Sequence, residues 1–478
     1  MKKFGISFII FVPLLWLVSL SSCSKKDFDT DPSLKLTFSA DTVIFDTIFT
    51  TIGSVTQTLM VYNPNDTRLK ISEIRLGAGE SSRYKINIDG TPTYLLKDIE
   101  IDAGDSLYIF VKVTIDPNNQ TSPLIVDDSL MFVTNGNLQK VKLVAWGQDA
   151  IYHRPDHFPT DFPAYSIVPC NSIWTAGKPH VIYGWLVVDS ACNLQIEAGA
   201  MVYFHNNAVL MVYKDGSLQV NGQVDSEVSF RGHRTDPYYK DLPGQWGGIL
   251  FSQGSRQNVL NHAVILNGTL GVQVDQTEDM SQPQLVINNT RIGNMSLGGL
   301  SGNATWIQSE NLVIEGCGEY SLSINGGIYQ FKHLSAGNYW TASARQNAAL
   351  VMRNYLIGSD GQPIAVQPTE VFFGNSVIYG NRSDEIGIAP VEGNGTFTWS
   401  FDHCLLKTNP VSGYTANYIQ CIFDKDPLFT DPAKSKLYPD TLSPLINAGI
   451  FMNVNSDILG QIRDDRPDIG AYERIERK

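Results

Sequence analysis

Three charged residues recur at almost one spacing in this chain: Glu310, Lys332 and Arg353 lie 22 and 21 positions apart. Each follows a short alternating apolar run and immediately precedes an Asn, His or Asn, so if the runs are strands the three side chains leave the same outer face. An acid beside two bases on one surface is an arrangement for proton transfer, because a lysine next to an arginine has its charged form disfavoured and is available as a neutral amine to accept a proton. The plainer expectation is an exposed ion-pair ladder contributing at most about 1 kcal/mol per pair. A second group lies in "HRTDPYYKDLPGQW", residues 233–246. There Tyr238 and Tyr239 offer flat apolar rings with polar tips, suited to stacking on sugars, and Asp236 and Lys240 are placed to fix hydroxyl groups; packing of both rings on the wall beneath is the plainer reading. His153, Asp156 and His157 in "YHRPDHFPTDFPAY" are of metal-ligating type, but their proline-rich setting fits hydrogen bonding at a junction. No CxxC or Cys/His spacing points to zinc, and no metal site is expected.

The elements that must position these residues show themselves as repeats. "NVLNHAVI", "LVINNTRI", "IQSENLVI", "YQFKHLSA", "LVMRNYLI", "VFFGNSVI" and "WSFDHCLL" share one frame, an Asn or His closing an apolar run. The polar members are His262, Asn289, Asn311, His333, Asn354, Asn375 and His403, with steps of 27, 22, 22, 21, 21 and 28. A period near 22 with short β runs and no helical pattern is met by a solenoid, each repeat forming one coil and each strand pairing with its copy in the next. The Asn/His column is then a structural ladder at a tight bend. Asparagine tolerates the left-handed backbone, and stacked amides satisfy polar groups that would otherwise cost about 1 to 3 kcal/mol each. Earlier strands such as "LQIEAG", "MVYFHN" and "SLQVNGQ" supply the first coils from about Val181.

This spacing and ladder resemble the right-handed parallel β-helix of pectate-lyase-like proteins. "PGQWGGILFSQGSRQNVLNHAVILNGTLGVQV", residues 243–274, is similar to the core of β-helix lipoproteins from glycan-foraging Gram-negative bacteria. "DPLFTDPAKSKLYPDTLSPLINAGI" and "DILGQIRDDRPDIGAYE" resemble a terminal segment of secreted β-helix proteins, expected to cap the open end of the solenoid. For lyases of this fold the resemblance implies a calcium-binding carboxylate cluster and a basic residue projecting from the first strand of each coil. Here that outward column is Gln273, Ser301, Ser323, then Gln367 and Gly387, a neutral face without carboxylates, Arg or Lys.

From Leu34 to about Ala150 the alternation is of period two with Asn-Gly and Asp-Gly punctuation, as in "SLYIFVKVTI" and "KVKLVAWG", which describes an antiparallel β-sandwich. Its strand order resembles the immunoglobulin-like domains that precede larger modules in exported bacterial proteins, where they serve as spacers. The chain opens with Lys2 and Lys3, an apolar stretch from Ile6 to Leu20, and Leu20-Ser21-Ser22-Cys23. The layout is that of a signal peptide, too short to span a bilayer comfortably, and its end resembles a bacterial lipobox, implying lipid on Cys23. The expected organisation is a signal peptide over 1–22, a tether over 23–33, the sandwich over 34–150, a connector over 151–180, the parallel β-helix over 181–425 and a cap over 426–478.

With Lys2 and Lys3 set aside, 33 basic residues face 48 acidic ones. Such a surface repels nucleic acid and favours neutral glycans or proteins as partners. Export permits disulfides: Cys170 can pair with Cys192 and Cys404 with Cys421, leaving Cys317 as a buried thiol. Trp340 and Trp399 belong to strand patterns and are expected in the core, and Asn303 and Asn394 begin N-x-[ST] matches of no consequence in a bacterium. The functional expectation is a lipid-anchored, all-β protein of the outer membrane that presents a surface to polysaccharide or envelope proteins without catalysis or cofactor. The alternatives are a polysaccharide lyase or hydrolase, with calcium in the lyase case, and a structural or adhesive envelope component.

Overall fold

The computed structural model describes residues 27–50, 53–116, 124–236, 238–358, 361–393 and 395–474. The expected signal peptide, Cys23 with its expected lipid, and Asn394 lie outside the described residues. The chain divides into two units after Gln148.

In the first unit the period-two pattern becomes two packed sheets. Ser106–Val113 buries Leu107, Ile109, Val111 and Val113 while the residues between them face outward or lie at the margin, as a strand with one dry face must. It is central in a five-stranded sheet ordered Thr37–Phe38, Gln57–Tyr62, Ser106–Val113, Tyr84–Ile88 and Thr91–Thr93. The second five-stranded sheet runs Thr42–Phe49, Asn137–Gln148, Leu124–Thr134, Leu69–Leu76 and Leu95–Ile101, and both contribute to one core around Phe45, Tyr84 and Phe132. Asn135 and Gly136 connect two of these strands with φ of 49° and 77°, the left-handed pair that a tight hairpin turn requires. The sandwich is antiparallel except where Thr42–Phe49 runs parallel to Asn137–Gln148.

The second unit is a parallel β-helix: a 26-stranded assembly in which strands pair with their counterparts one coil further on. Each complete coil has three walls. In one coil these are Leu270–Val274 and the two halves of Leu285–Met295, which divide at Asn289, where φ is 47°. The proline-rich stretch expected as a connector already belongs to the solenoid. Its short strands Ile151–His153, Tyr165–Ile167 and Ser172–Trp174 pair in parallel with His180–Ile182, Trp185–Val188 and Asn193–Glu197, while Pro155, Pro159 and Pro163 fall in the bends between strands, where a missing N–H costs no ladder bond. Cys170 and Cys192 are joined as a disulfide across these first coils.

Inward residues fill the coil with stacked side chains. Phe331, Phe373, Phe401 and Tyr418 form one column with ring centroids 5.2, 5.1 and 5.7 Å apart and interplanar angles of 11°, 9° and 9°. Trp246 is fully buried, stacked 3.9 Å from Phe204, and donates to the Leu266 carbonyl. Trp399 joins the same core and Trp340 is also buried.

The expected Asn/His ladder is present at the corner between the second and third walls, with one correction. His262, Asn289, Asn311, His333, Asn375 and His403 all have φ between 46° and 56°, and the strand register places them in successive coils. Asn289 donates to Asn261 at 3.0 Å, Asn311 to Asn289 at 2.9 Å, and Asn375 to His333 at 3.1 Å. Asn354 is not a member. His333 and Asn375 are neighbours in the ladder although 42 residues apart in sequence, because that coil carries both the 339–349 loop and a hairpin formed by Tyr355–Ile357 and Pro363–Val366. Two steps of 21 imitate two coils where there is one long coil with insertions.

The C-terminal segment covers the flank of the solenoid. Arg463 donates to Asn311, Asn311 to the Ser456 carbonyl, and Asn375 exchanges bonds with the backbone of Ile450. His333 meets the Gly470 carbonyl at 3.1 Å. Its apolar residues Leu437, Leu445, Ile458, Ile469 and Tyr472 pack with Val313, Val377 and Leu405, which point outward from the third wall. The segment therefore protects the polar corner along several coils rather than only the last one.

Candidate functional site

The first wall carries the richest surface. Its strands Leu270–Val274, the start of Gly298–Cys317, the start of Tyr320–Lys332, and Leu350–Arg353 pair in register, so that Gln273, Ser301, Ser323 and Val351 form one outward column. Gln367, expected in that column, stands elsewhere, because the hairpin displaces it from the strand that follows Ser323. Two residues further along each strand comes a second outward column: Asp275, Asn303, Asn325 and Arg353. Parallel, in-register stacking brings such side chains within about 4.8 Å of their copies, close enough for neighbouring amides to bond.

They form a continuous chain. Gln273 donates to Asp275 at 2.8 Å and Asn303 to the same carboxylate oxygen at 2.9 Å; Asn325 donates to Asn303 at 3.0 Å, and Arg353 to Asn325 at 3.1 Å. Asn325 also reaches Ser323 at 3.2 Å. The face expected to be neutral thus begins with a carboxylate and ends with a guanidinium. The sequence signal for this lies in the outward position next along each strand, where Asp, Asn, Asn and Arg follow Gln, Ser, Ser and Val.

Other elements turn this column into a groove of about 600 Å³. Tyr320 also lines it, with burial holding its phenol above the ordinary range. The 339–349 loop contributes Asn347, fixed by a 2.9 Å bond to Glu319. On the far side the hairpin presents Leu356, Ile357 and Ile364, the last 66 % exposed. The loop is anchored by a buried clasp: Arg345 pairs with Glu385, both almost fully buried, and also donates to the Asn338 carbonyl and to Asn381. Glu385 further accepts from the backbone N–H groups of Ala349 and Arg382. A charged pair so enclosed is tolerated because nearly every donor and acceptor finds a partner.

Glu310, Lys332 and Arg353 are not brought together. Glu310 and Lys332 occupy the second wall and form an ion pair at 3.2 Å, each about 30 % exposed. The register continues from Lys332 to Gly374 and Asp402, whereas Arg353 follows Asn325 on the first wall. The stripe fails for the same reason as Asn354: the midpoint of the long coil carries the local pattern of a coil of its own. The 233–246 loop is seated by its backbone, with the Lys240 carbonyl accepting from Asn267 and the Asp241 carbonyl from Asn294. Arg234 lies over the Tyr239 ring and pairs with Asp236 at 3.3 Å, which takes Tyr239 and Asp236 for the loop's own packing. Tyr238 remains 73 % exposed, and Lys240 is exposed as well.

His153 bonds His180 at 2.9 Å, both rings stacking with Trp174, while Asp156 and His157 bond each other nearby at 2.6 Å. Among the described residues no group of three His, Cys, Asp or Glu side chains is arranged to hold a metal.

No protein-family model matches the chain, and no curated protein matches it. Among solved structures, the catalytic domain of a GH87 α-1,3-glucanase in complex with nigerose aligns over 77 % of this chain and 87 % of its own, at 10 % identity and TM-score 0.17. A family 123 glycoside hydrolase from Clostridium perfringens aligns over 24 % and 27 %, at 9 % identity and TM-score 0.18. A protein from Porphyromonas gingivalis W83 aligns over 29 % and 57 %, at 13 % identity and TM-score 0.18. The present chain thus spans about a quarter of the Clostridium hydrolase. At these TM-scores the likenesses carry no argument about fold or function.

Proposed function

We propose that this chain is a lipid-anchored protein of the bacterial outer membrane whose β-helix binds a polysaccharide without cleaving it, in the groove of the first wall. The carrying observation is the row Asp275–Asn303–Asn325–Arg353, one hydrogen-bonding side chain per coil. An extended chain of sugars presents hydroxyl groups at a repeat of similar order, and amide and hydroxyl side chains match them as both donors and acceptors. Tyr320 and the hairpin aliphatics supply the apolar surface against which sugar faces pack.

The non-catalytic reading is supported by the groove's chemistry. Its lining offers one carboxylate, Asp275, where hydrolysis of a glycosidic bond ordinarily uses a pair, and its basic group is an arginine, which does not deprotonate. The pectate-lyase-like family reading, with an immunoglobulin-like spacer at the N-terminus, rests on the sequence resemblances, as does the anchor at Cys23. No helix among the described residues is long and apolar enough to cross a membrane, and a multiply acylated cysteine would hold the protein on a bilayer by itself. The formal net charge of −13 disfavours nucleic acid as a partner.

The test is a glycan array probed with the full-length chain and with an Asn303→Ala/Asn325→Ala variant, in the presence and absence of calcium. The proposal expects wild-type binding that is calcium-independent, lost in the variant, and unaccompanied by product. Release of unsaturated sugars would favour the lyase alternative, and no glycan bound at all would favour a structural or adhesive role.

A further inference from the structure

Cysteine pairs stand at both ends of the solenoid. Cys170 and Cys192, in the first coils, are a disulfide. Cys404 and Cys421 occupy the last two coils and are thiols. The register Leu405↔Ile422 and Leu406↔Phe423, with the Ile422 N–H donating to the Cys404 carbonyl at 2.8 Å, places them directly above one another on adjacent parallel strands. Strands so paired lie about 4.8 Å apart, within the span a disulfide bridges without backbone movement.

The last coil has reason to be fastened. Its two strands, Tyr418–Ile419 and Ile422–Phe423, pair with the coil before them at only two positions each. The segment between the two cysteines folds Tyr414 and Tyr418 onto Trp399, with ring centroids 5.8 and 5.2 Å away. Thr408, Asn409, Val411 and Tyr414 of that segment form one side of a cavity of about 600 Å³ whose other side includes Phe397 and Trp399. Whatever fixes the spacing of Cys404 and Cys421 also fixes this wall.

We propose that Cys404 and Cys421 are a dithiol that closes to a second disulfide on exposure to a low-molecular-weight disulfide, stapling the terminal coil as Cys170–Cys192 staples the first. Cys421 is partly exposed and Cys404 is fully buried, so Cys421 reacts first. Its thiolate attacks one sulfur of the oxidant, forming a mixed disulfide and releasing one equivalent of thiolate. Cys404 then attacks the Cys421 sulfur, the Cys404–Cys421 bond forms, and the second oxidant thiolate leaves. Both cysteines are oxidised, one oxidant disulfide is reduced to two thiols, and the two cysteine protons pass to the released thiolates. The contact between the two sulfurs supports this order: the hydrogen bond from Cys404 holds the Cys421 thiol below its ordinary range, while burial drives Cys404 upward. Cys317 is the internal control, a fully buried thiol in mid-solenoid whose register partner one coil earlier is Met295, so it neither meets the oxidant nor faces a second cysteine.

The full-length chain is incubated with glutathione disulfide, or with a reductant mild enough to spare Cys170–Cys192, then alkylated and digested with trypsin. The proposal expects a cross-linked pair of the 383–407 and 408–425 peptides after oxidation and both peptides alkylated after reduction, with the Cys317 peptide alkylated only once the protein is denatured. The oxidised protein melts a few degrees higher than the reduced one, and a Cys421→Ser variant shows no such difference. Separate alkylation of both cysteines after oxidation, or glutathione trapped on Cys421, overturns the pairing. A cross-link without a shift in Tm overturns the stapling.

Discussion

Replacing Asn375 by alanine tests the ladder at its most loaded position. Asn375 is fully buried and its φ is 46°. Its side chain accepts from the Ile450 N–H at 3.0 Å and donates to the Ile450 carbonyl at 2.6 Å and to His333 at 3.1 Å. Alanine removes all three bonds and leaves the partners facing a side chain that cannot answer them. At a net 1 kcal/mol or so per bond the loss is about 3 kcal/mol, tempered because Ile450 lies near the surface, where water replaces part of it. Alanine also holds a left-handed backbone less willingly than asparagine, which adds about 1 kcal/mol. The expected cost is thus about 3 to 4 kcal/mol, against about 2 to 3 for Asn375→Gly, where glycine accepts the backbone but still lacks the amide. Native-state hydrogen exchange on peptides spanning 370–380 and 446–452 reads this locally, without assuming that a two-unit chain unfolds in one step. A loss of 3 kcal/mol is roughly a hundredfold in protection at about 1.4 kcal/mol per factor of ten. Less than fivefold for Asn375→Ala, or a glycine variant worse than the alanine one, would refute the reasoning.

Further predictions concern charge. A double-mutant cycle on Glu310 and Lys332 should give a coupling of less than about 1 kcal/mol that shrinks in salt, as for exposed pairs; a value above 2 kcal/mol would mean that they do more than decorate the second wall. Arg345→Met should cost about 3 to 5 kcal/mol by leaving the Glu385 carboxylate buried and unpaired, with Arg345→Met/Glu385→Leu recovering much of it in thermal melts. Burial lowers His153 and His180 from 6.5 to about 4 and about 3. The unfolded chain therefore takes up protons near pH 6.5 that the folded one refuses, and the stabilisation, complete above pH 6.5, is lost as pH falls toward 4. A Tm series from pH 7.5 to 4.5 should decline, and His180→Gln should make the decline shallower, with burial of His205, His233, His262 and His333 supplying the remainder; an unchanged slope would contradict the assignment.

The solenoid was legible because its signal is repetition. A polar residue at a bend with left-handed φ recurs whenever a coil closes, and the buried apolar positions alternate around it. What escaped was the variation in coil length. Nothing local distinguishes Asn354, in the middle of a 42-residue coil, from Asn311 or Asn375, and the false phase then carried Arg353 to the wrong wall. The proline-rich 151–180 stretch was also obscured, since its strands are three residues long and gain their identity only from the coil above. The groove is half visible in the sequence: Gln273, Ser301 and Ser323 share one column by alternation, but Asp275, Asn303 and Asn325 acquire meaning only when the register sets them one above another and the hairpin adds apolar side chains to the lining.

One titration tests the placement of the binding site most directly. A glycan selected on the array is titrated calorimetrically into the wild-type chain, the Asn303→Ala/Asn325→Ala variant and a Tyr238→Ala variant. The account predicts at least a tenfold loss of affinity in the first variant and unchanged affinity in the second. Unchanged binding in the first, or loss confined to the second, would contradict the placement of the binding site on the first wall.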